Sequence, residues 1–462
     1  MSVDRSNPRG VLRRYYLFRA MAAVGFVSPI FALFVLRDLS YPAYGTLSAV
    51  YSLVLVGGEI PTGYLGDRVG RRDTLVASKV AMAVSLLGFV VVDSFASYVV
   101  VYVVWGLGMA LTSGTGGAWL YEILREGLGE DQFTTVRGKG NAIARWSAAV
   151  TTILGAVLYG IDPTYPFLAA GLLMLAGAGV IATLPRTAAF DGASDTATAD
   201  DSGGQQGLSA REALTLLRER LLRPPLRSFV LFVALLFGVV GAGNGYIQPA
   251  AVAVVGDVSL DALPVVEDIS LDALPVVGSF AAGVANAADG AGGEIFGGRL
   301  ELSAATGLGP LYASFAAVAA GISYYAGAIE ARLGLRRTLV VLALVVASSF
   351  LVPLAVPLAA VAAFYVSQSV QHLLRPMVQQ HVNDRTGDAG RATVLSAVSM
   401  VFGVARTPFI VLAGFVAGAR GPVVAFPALA VLLVAAFVPL VVLGSPLPES
   451  RADERASDGV PQ

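Results

Sequence analysis

The sequence predicts an all-α, multi-pass membrane protein with about twelve transmembrane helices in two pseudo-symmetric bundles of six. Three observations carry that expectation. Hydrophobic residues make up 56% of the 462 positions and charged residues only 14%, against roughly 25% charged in soluble domains. Apolar runs long enough to cross a bilayer recur along the whole chain. One polar stretch near the middle divides them into two similar sets.

A helix needs about 20 apolar residues to span a bilayer. Candidate spans cover roughly 14–36, 44–66, 74–92, 96–122, 138–160 and 164–184, then 227–255, 308–330, 337–356, 357–383, 391–418 and 421–443. Arg5, Arg9, Arg13 and Arg14 precede the first run, which is too long for a signal-peptide core and reads as a retained helix. These spans define an N-terminal bundle (1–185), a linker (186–226), a C-terminal bundle (227–448) with an insertion at about 256–306, and a tail (449–462). The linker opens at Asp191–Gln206 with a composition that cannot build a core. Leu208–Arg220 then reads as a short amphipathic helix, with Ser209 as N-cap and Glu212 at the capping-box position. It lies on the membrane surface or packs on the adjacent bundle; both readings are open.

Basic residues set the orientation. With the N-terminus inside, inner connections carry Arg68, Arg71, Arg72, Arg125, Arg137, Lys139, Arg332, Arg336 and Arg337, among others. Outer connections carry only Arg37, Arg299 and Arg420. The expected location is the plasma membrane with both termini cytoplasmic. In the outer insertion, Val258–Val266 recurs almost unchanged as Ile269–Val277. Two short copies are too few for a solenoid. They reflect a local duplication or an acidic ligand-capturing loop built on Asp257, Asp261, Glu267, Asp268 and Asp272.

Several chemistries are excluded. The chain has no cysteine, so disulfides, thiolate metal sites and cysteine nucleophiles are absent. There is no Walker loop, no H-E-x-x-H and no G-x-S-x-G elbow. An enzyme is not expected, nor a metal, a cofactor or a nucleic-acid partner. The expected partners are the lipid bilayer, a small organic solute and a coupling ion, most simply a proton, acting on a monomer.

Ionisable side chains within spans are costly unless paired or wetted, which makes each a functional candidate. In the first half these are Glu59, Arg145 and Glu122, with Arg19 at a depth similar to Glu59 and Arg145. Glu59 precedes Pro61, which frees a backbone carbonyl, and a Glu59–Arg145 pair is expected. It either carries protons or locks the bundle. In the second half Gln368, His372, Arg375 and Gln379 share one helical face, and Arg406 lies near the middle of the eleventh span. This polar set lines a wet cavity, or its glutamines tie neighbouring helices together. Tyr15, Tyr16, Trp105, Trp119, Tyr121, Trp146, Tyr324 and Tyr325 either line a cavity or anchor helices. Gly106-Leu-Gly108, Gly238–Gly245 and Gly414–Gly418 read as sites of close helix packing or hinges.

The connection between the second and third spans is Gly63-Tyr-Leu-Gly-Asp67-Arg68-Val-Gly70-Arg71-Arg72. Its counterpart in the second half, Gly327–Arg337, is a degenerate copy with the acid moved by one position. This loop resembles the signature loop of the major facilitator superfamily, and its repetition matches that family's two homologous halves. Glu59–Gly63, the stretch from Ser113-Gly114 to Trp119–Glu122, and Arg391–Ser396 resemble the efflux-type, drug-exporter-like branch. The resemblance implies that Asp67 faces the N-terminus of the eleventh helix near Arg391–Thr393. A carboxylate there gains about 0.3–2 kcal/mol from unpaired N–H groups and the helix dipole. Gly63 and Gly70 would allow close approach, and Arg68, Arg71 and Arg72 would complete the gate, Arg71 and Arg72 pairing across the seam between the halves. The alternative is that the arginines only set topology.

Two departures stand against borrowing the branch's mechanism whole. No arginine precedes Gly106-Leu-Gly108, and the fifth span, Arg145–Gly155, lacks a Gly-Pro pair. The function expected is secondary transport of a small organic solute by alternating access, outward and proton-coupled, as an antiporter. Uptake of an organic anion is the alternative within transport, motivated by Arg375 and Arg406. A non-transporting sensor or assembly protein with a ligand-binding outer loop is the alternative outside it.

Overall fold

The computed structural model describes residues 8–22, 24–112, 115–127, 132–185, 226–257, 299–385 and 391–443, and these are helical with short connections. The linker with its expected amphipathic helix, the duplicated segment 258–277 and the tail 449–462 lie outside the described residues. So do the side chains of Glu59, Gly63 and Asp67 and those of 391–397.

The helices are α1 (Pro8–Met21), α2 (Phe31–Val35), α3 (Tyr41–Val69), α4 (Arg71–Gly88), α5 (Phe95–Thr112), α6 (Thr115–Gly127), α7 (Phe133–Ile161) and α8 (Tyr165–Ala182). They are followed by α9 (Leu226–Gly245), α10 (Ile247–Asp257), α11 (Arg299–Leu351), α12 (Ala360–Arg385), α13 (Arg391–Arg420) and α14 (Ala425–Leu443). Each span expected from hydropathy falls on helix. Helix α11 covers two of them and turns at Gly334, where φ is 70° and ψ 158°. Helices α9 and α10 meet at a bend of 51°.

The first expected span is not one helix. Helix α1 ends at Met21, a 3-10 turn occupies Gly25–Val27, and α2 follows. Pro29, which has no N–H to give to a helix, lies in this stretch, and the stretch docks closely on α7. A Cβ on Gly25 would collide with Thr151 Oγ1 and the Ala148 carbonyl, and one on Gly155 with the Phe26 backbone. The Ala20 carbonyl at the end of α1 accepts the Ser147 hydroxyl at 2.5 Å, so an orphaned helix-end acceptor finds its donor on the helix it docks against.

By length and apolar composition alone, five helices among the described residues would cross a membrane, or six if the bent pair counts as one span. Part of the shortfall is length, since Gly307–Ala319 and Pro422–Val438 are apolar but short among the described residues; part is polarity. Helices α3, α4 and α12 fail the test, and they carry Glu59, Lys79 and the Gln368–Gln380 polar stretch. Polar groups at membrane depth are tolerated where they face protein or water.

Contacts divide the described residues into two units. One gathers those of Met1–Leu39, Val50–Gly207 and Asp268–Ala313, the other those of Ser40–Ala49, Leu208–Glu267 and Ser314–Gln462. In the first, α4 packs against α5 and α8. Phe31, Phe89, Trp105 and Phe167 form an aromatic cluster with Phe31 and Trp105 edge-on at 4.8 Å. A second core joins Val11, Tyr15, Phe18, Leu75, Trp119 and Ile123. In the second unit, α9 packs chiefly against α13. The expected glycine contacts are there: a Cβ on Gly238 would lie 3.0 Å from the Ala405 carbonyl, and one on Gly414 would lie 2.7 Å from that of Tyr41.

Candidate functional site

The loop between the second and third spans is built on a backbone that an L side chain rarely adopts. Gly70 has φ 96° and ψ 136° and caps α4. Gly334, its counterpart in the degenerate copy, shares the positive φ. Four residues on, Thr74 donates its hydroxyl to the Gly70 carbonyl at 3.1 Å, and Thr338 does the same to Gly334 at 2.8 Å. The two copies therefore share a turn as well as a motif. The repeat extends past the arginines into Thr-Leu-Val, residues 74–76 and 338–340, with Leu75 and Leu339 both fully buried.

The loop's arginines point into their own unit. Arg72 pairs with Asp73 at 2.8 Å and donates to the Leu184 carbonyl at 3.1 Å. Arg14 donates to the Thr183 carbonyl at 3.0 Å. Two cations thus close the C-terminal end of α8, where the helix dipole favours positive charge. Arg71 was expected to pair across the seam; its Nε lies 3.1 Å from Glu122 Oε1, inside the same unit. The reason is local: α4 and α6 pack together, and the pair gives Glu122 a partner at a partly buried site. The other oxygen, Oε2, is buried and has no hydrogen-bond partner among the described residues. Arg68 closes the last turn of α3.

The remaining first-half candidates separate. Arg19 donates to Asn141 Oδ1 at 2.8 Å and to the Gly140 carbonyl at 3.4 Å, both on α7. Arg145 lies on an exposed face of α7. Lys79 is buried on α4, with its ammonium 3.7 Å from Met82 Sδ; no reading of the sequence singled it out. Among the aromatics, Tyr15 and Trp119 are core residues, whereas Trp146 is 75% exposed.

In the second unit three of the four expected cavity residues meet. A cavity of about 470 Å³ lies among α9, α12 and α13, lined by Phe237, Gly241 and Asn244 of α9, by Gln371, His372, Arg375 and Gln379 of α12, and by Ser399, Phe402 and Arg406 of α13, among others. Its described lining contains two arginines and no carboxylate. Gln368 is not among the lining residues. Five residues before His372, Ser367 donates to Asn244 Oδ1 at 2.6 Å and draws α12 onto α9. That bond also orients Asn244, since an amide whose oxygen is engaged presents its NH₂ donors elsewhere. Gly241 makes room for Arg406: a Cβ there would lie 3.2 Å from Arg406 Cδ. Phe237 and Phe402 stack at 4.9 Å and 13°. Neither was singled out from the sequence, because apolar side chains in apolar spans carry no signal of their own.

The arrangement provides donors, positive charge and aromatic surface in one cavity. Comparisons with known proteins agree on the fold. The family model described as Major Facilitator Superfamily matches residues 16–301. An uncharacterized MFS-type transporter, YxaM of Bacillus subtilis (strain 168), is 26% identical over 157 residues, 33% of this chain and 38% of that protein. The match thus spans well under half the length of that relative. The nucleoside transporter NupG superposes with a TM-score of 0.66 at 12% identity, covering 93% of this chain and 98% of that one. A bacterial homolog of the human lysosomal transporter Spinster superposes with a TM-score of 0.62 at 13% identity, covering 94% and 96%. At such identities these structures speak to fold alone.

Proposed function

The chain belongs to the major facilitator superfamily, an integral membrane family of transporters, and from that premise we propose that it carries a small organic anion, bound in the C-terminal half, by alternating access. The observation that carries this reading is the cavity's charge. Arg375 and Arg406 line it and no described lining residue is acidic. In a low-dielectric setting an excess of cationic over acidic side chains in the described lining favours anionic solutes and disfavours cations. The volume suits a small molecule, since ligand pockets run to about 300–1,000 Å³.

The drive is an ion gradient, most simply of protons, with Glu59 and the Arg71–Glu122 pair as coupling candidates. Outward movement is supported only by the efflux-type resemblance of Glu59–Gly63 and Trp119–Glu122. The arginine asymmetry supports cytoplasmic termini; a plasma-membrane location and a monomeric state complete the proposal. The full-length protein in proteoliposomes, assayed by counterflow with a panel of organic anions, cations and neutral solutes, tests the reading. Anion flux that falls at least tenfold in Arg406→Gln is expected. Preference for cations, or no flux under any ion gradient, would overturn it. Replacing Glu59 by Gln addresses coupling, because unaltered pH-driven flux removes Glu59 from the proton path. Right-side-out and inverted vesicles decide direction.

A further inference from the structure

The cavity holds a second chemical instruction besides charge. Helices α9 and α13 run side by side in parallel. Phe237 stacks on Phe402, Gly241 faces Arg406, and a Cβ on Gly245 would lie 3.2 Å from Ile410 Cδ1. Arg406 therefore stands one helical turn, about 5–6 Å, beyond Phe402 on the same helix. Both rings line the cavity, both are only partly buried, and they are the aromatic residues among its lining. The stacked pair offers the cavity aromatic surface, an outer ring face and ring edges, whereas aliphatic side chains such as Val378, Val382 and Val398 line the same cavity elsewhere. A solute whose anionic group sits at Arg406 has this aromatic surface one helical turn away.

We propose that the cavity selects anions whose charge is borne directly on a flat aromatic or heteroaromatic ring system. The proposal rests on the anion reading above and adds a shape requirement to it. Arg406 supplies the charge. Asn244, its oxygen held by Ser367, supplies N–H donors at the same end. Phe237 and Phe402 supply aromatic surface against which a planar ring can extend the stack or pack edge-on, and a puckered saturated ring cannot. A stacked aromatic pair gains about 0.5–1.5 kcal/mol beyond its buried area, up to roughly tenfold in affinity for each such contact.

Three probes separate charge from shape: 2-naphthalenesulfonate, its saturated decalin counterpart, and the neutral 2-naphthalenesulfonamide. Binding to the full-length protein in detergent is measured by calorimetry, with wild-type, Phe402→Leu, Phe402→Trp and Arg406→Gln proteins checked for monodispersity. Wild type should bind the aromatic sulfonate about tenfold more tightly than the decalin sulfonate, and the sulfonamide at least tenfold more weakly. Phe402→Leu should bring the aromatic sulfonate down to the affinity of the saturated one, and Phe402→Trp should keep the preference. Equal affinity of wild type for the two sulfonates overturns the shape requirement and leaves the anion reading standing. Failure to bind either sulfonate, or tighter binding of the sulfonamide, overturns both. If Phe402→Leu does not stay monodisperse, the wild-type comparison and Phe402→Trp decide: loss of the preference in Phe402→Trp would count against stacking at this ring.

Discussion

Replacing Gly70 by Ala tests whether the loop is held by its backbone or by its contacts. At φ 96° and ψ 136° an L residue stores about 1–3 kcal/mol of strain. A Cβ at Gly70 would meet nothing within 4 Å, so no steric clash adds to the cost. Lower chain entropy in the unfolded state offsets about 0.4–1 kcal/mol, leaving a net loss of roughly 1–2 kcal/mol. For a unit of about 150–250 residues this lowers Tm by roughly 2–8 °C. Gly334→Ala should behave alike, since Gly334 also has positive φ and open space around it. Gly57→Ala is the matched control: it too has nothing within 4 Å and lies within α3 without positive φ. Helix propensity should leave it unchanged or raise it by up to about 1 kcal/mol. Thermal unfolding of detergent-purified protein, followed by intrinsic fluorescence, reads all three. If Gly70→Ala melts with Gly57→Ala rather than below it, the strained turn is not what shapes the loop.

Glu122→Gln removes the pair with Arg71 and should cost about 1 kcal/mol or less in stability; a pH profile of flux identical to wild type would refute a proton role for Glu122. Gly155→Leu forces a side chain into the Phe26 backbone and should cost about 1–3 kcal/mol or more, so wild-type Tm in that variant would refute the docking of residues 25–27 on α7. Asp162, in the connection between α7 and α8, accepts the Thr164 hydroxyl at 2.6 Å and its N–H at 2.7 Å. These bonds hold its carboxyl below the usual carboxylate range, so the stability they add is present above the unfolded pKa and lost as pH falls through the folded one. Asp162→Ala should cost a few tenths of a kcal/mol at pH 7 after allowance for solvent screening, and the Tm gap to wild type should close as pH drops below about 4.

Much of the fold is legible in the sequence because membrane spans are written in composition. Runs such as Phe133–Ile161 need only length and apolarity to be found. The repeated turn is legible too, since Gly70 and Gly334 sit at matching places in a recurring motif. The break in the first span is legible only in part. Residues 22–30 are apolar apart from Ser28, but they include Pro29, which lacks an N–H and is a local helix-breaking signal. The close contacts of Gly25 with α7 and of Gly155 with Phe26 are properties of a helix pair and leave no mark in the local sequence. Arg71 illustrates the same limit: its charge is visible, its choice of Glu122 is not.

The cavity shows where sequence reading runs out and why. His372 and Arg375 share a helix face, and that much follows from spacing. That Arg406 joins them from α13 depends on the register between α9 and α13, which places Gly241 opposite Arg406 and Phe237 opposite Phe402. In lipid no hydrophobic force distinguishes one face of an apolar helix from another, so register is set by small residues and fitted side chains. Gly238, Gly241 and Gly245 recur on α9 at spacings of three and four, and each faces a different part of α13 or its neighbour Tyr44. A slide of one turn would bring Arg406 level with either Phe237 or Gly245 and separate the stacked rings. The glycine stripe on α9 is therefore what converts an isolated deep arginine and two unremarkable phenylalanines into a cavity with a charged end and an aromatic side. A large side chain at Gly241 should weaken anion binding by displacing Arg406, whose Cδ even a Cβ there would approach to 3.2 Å.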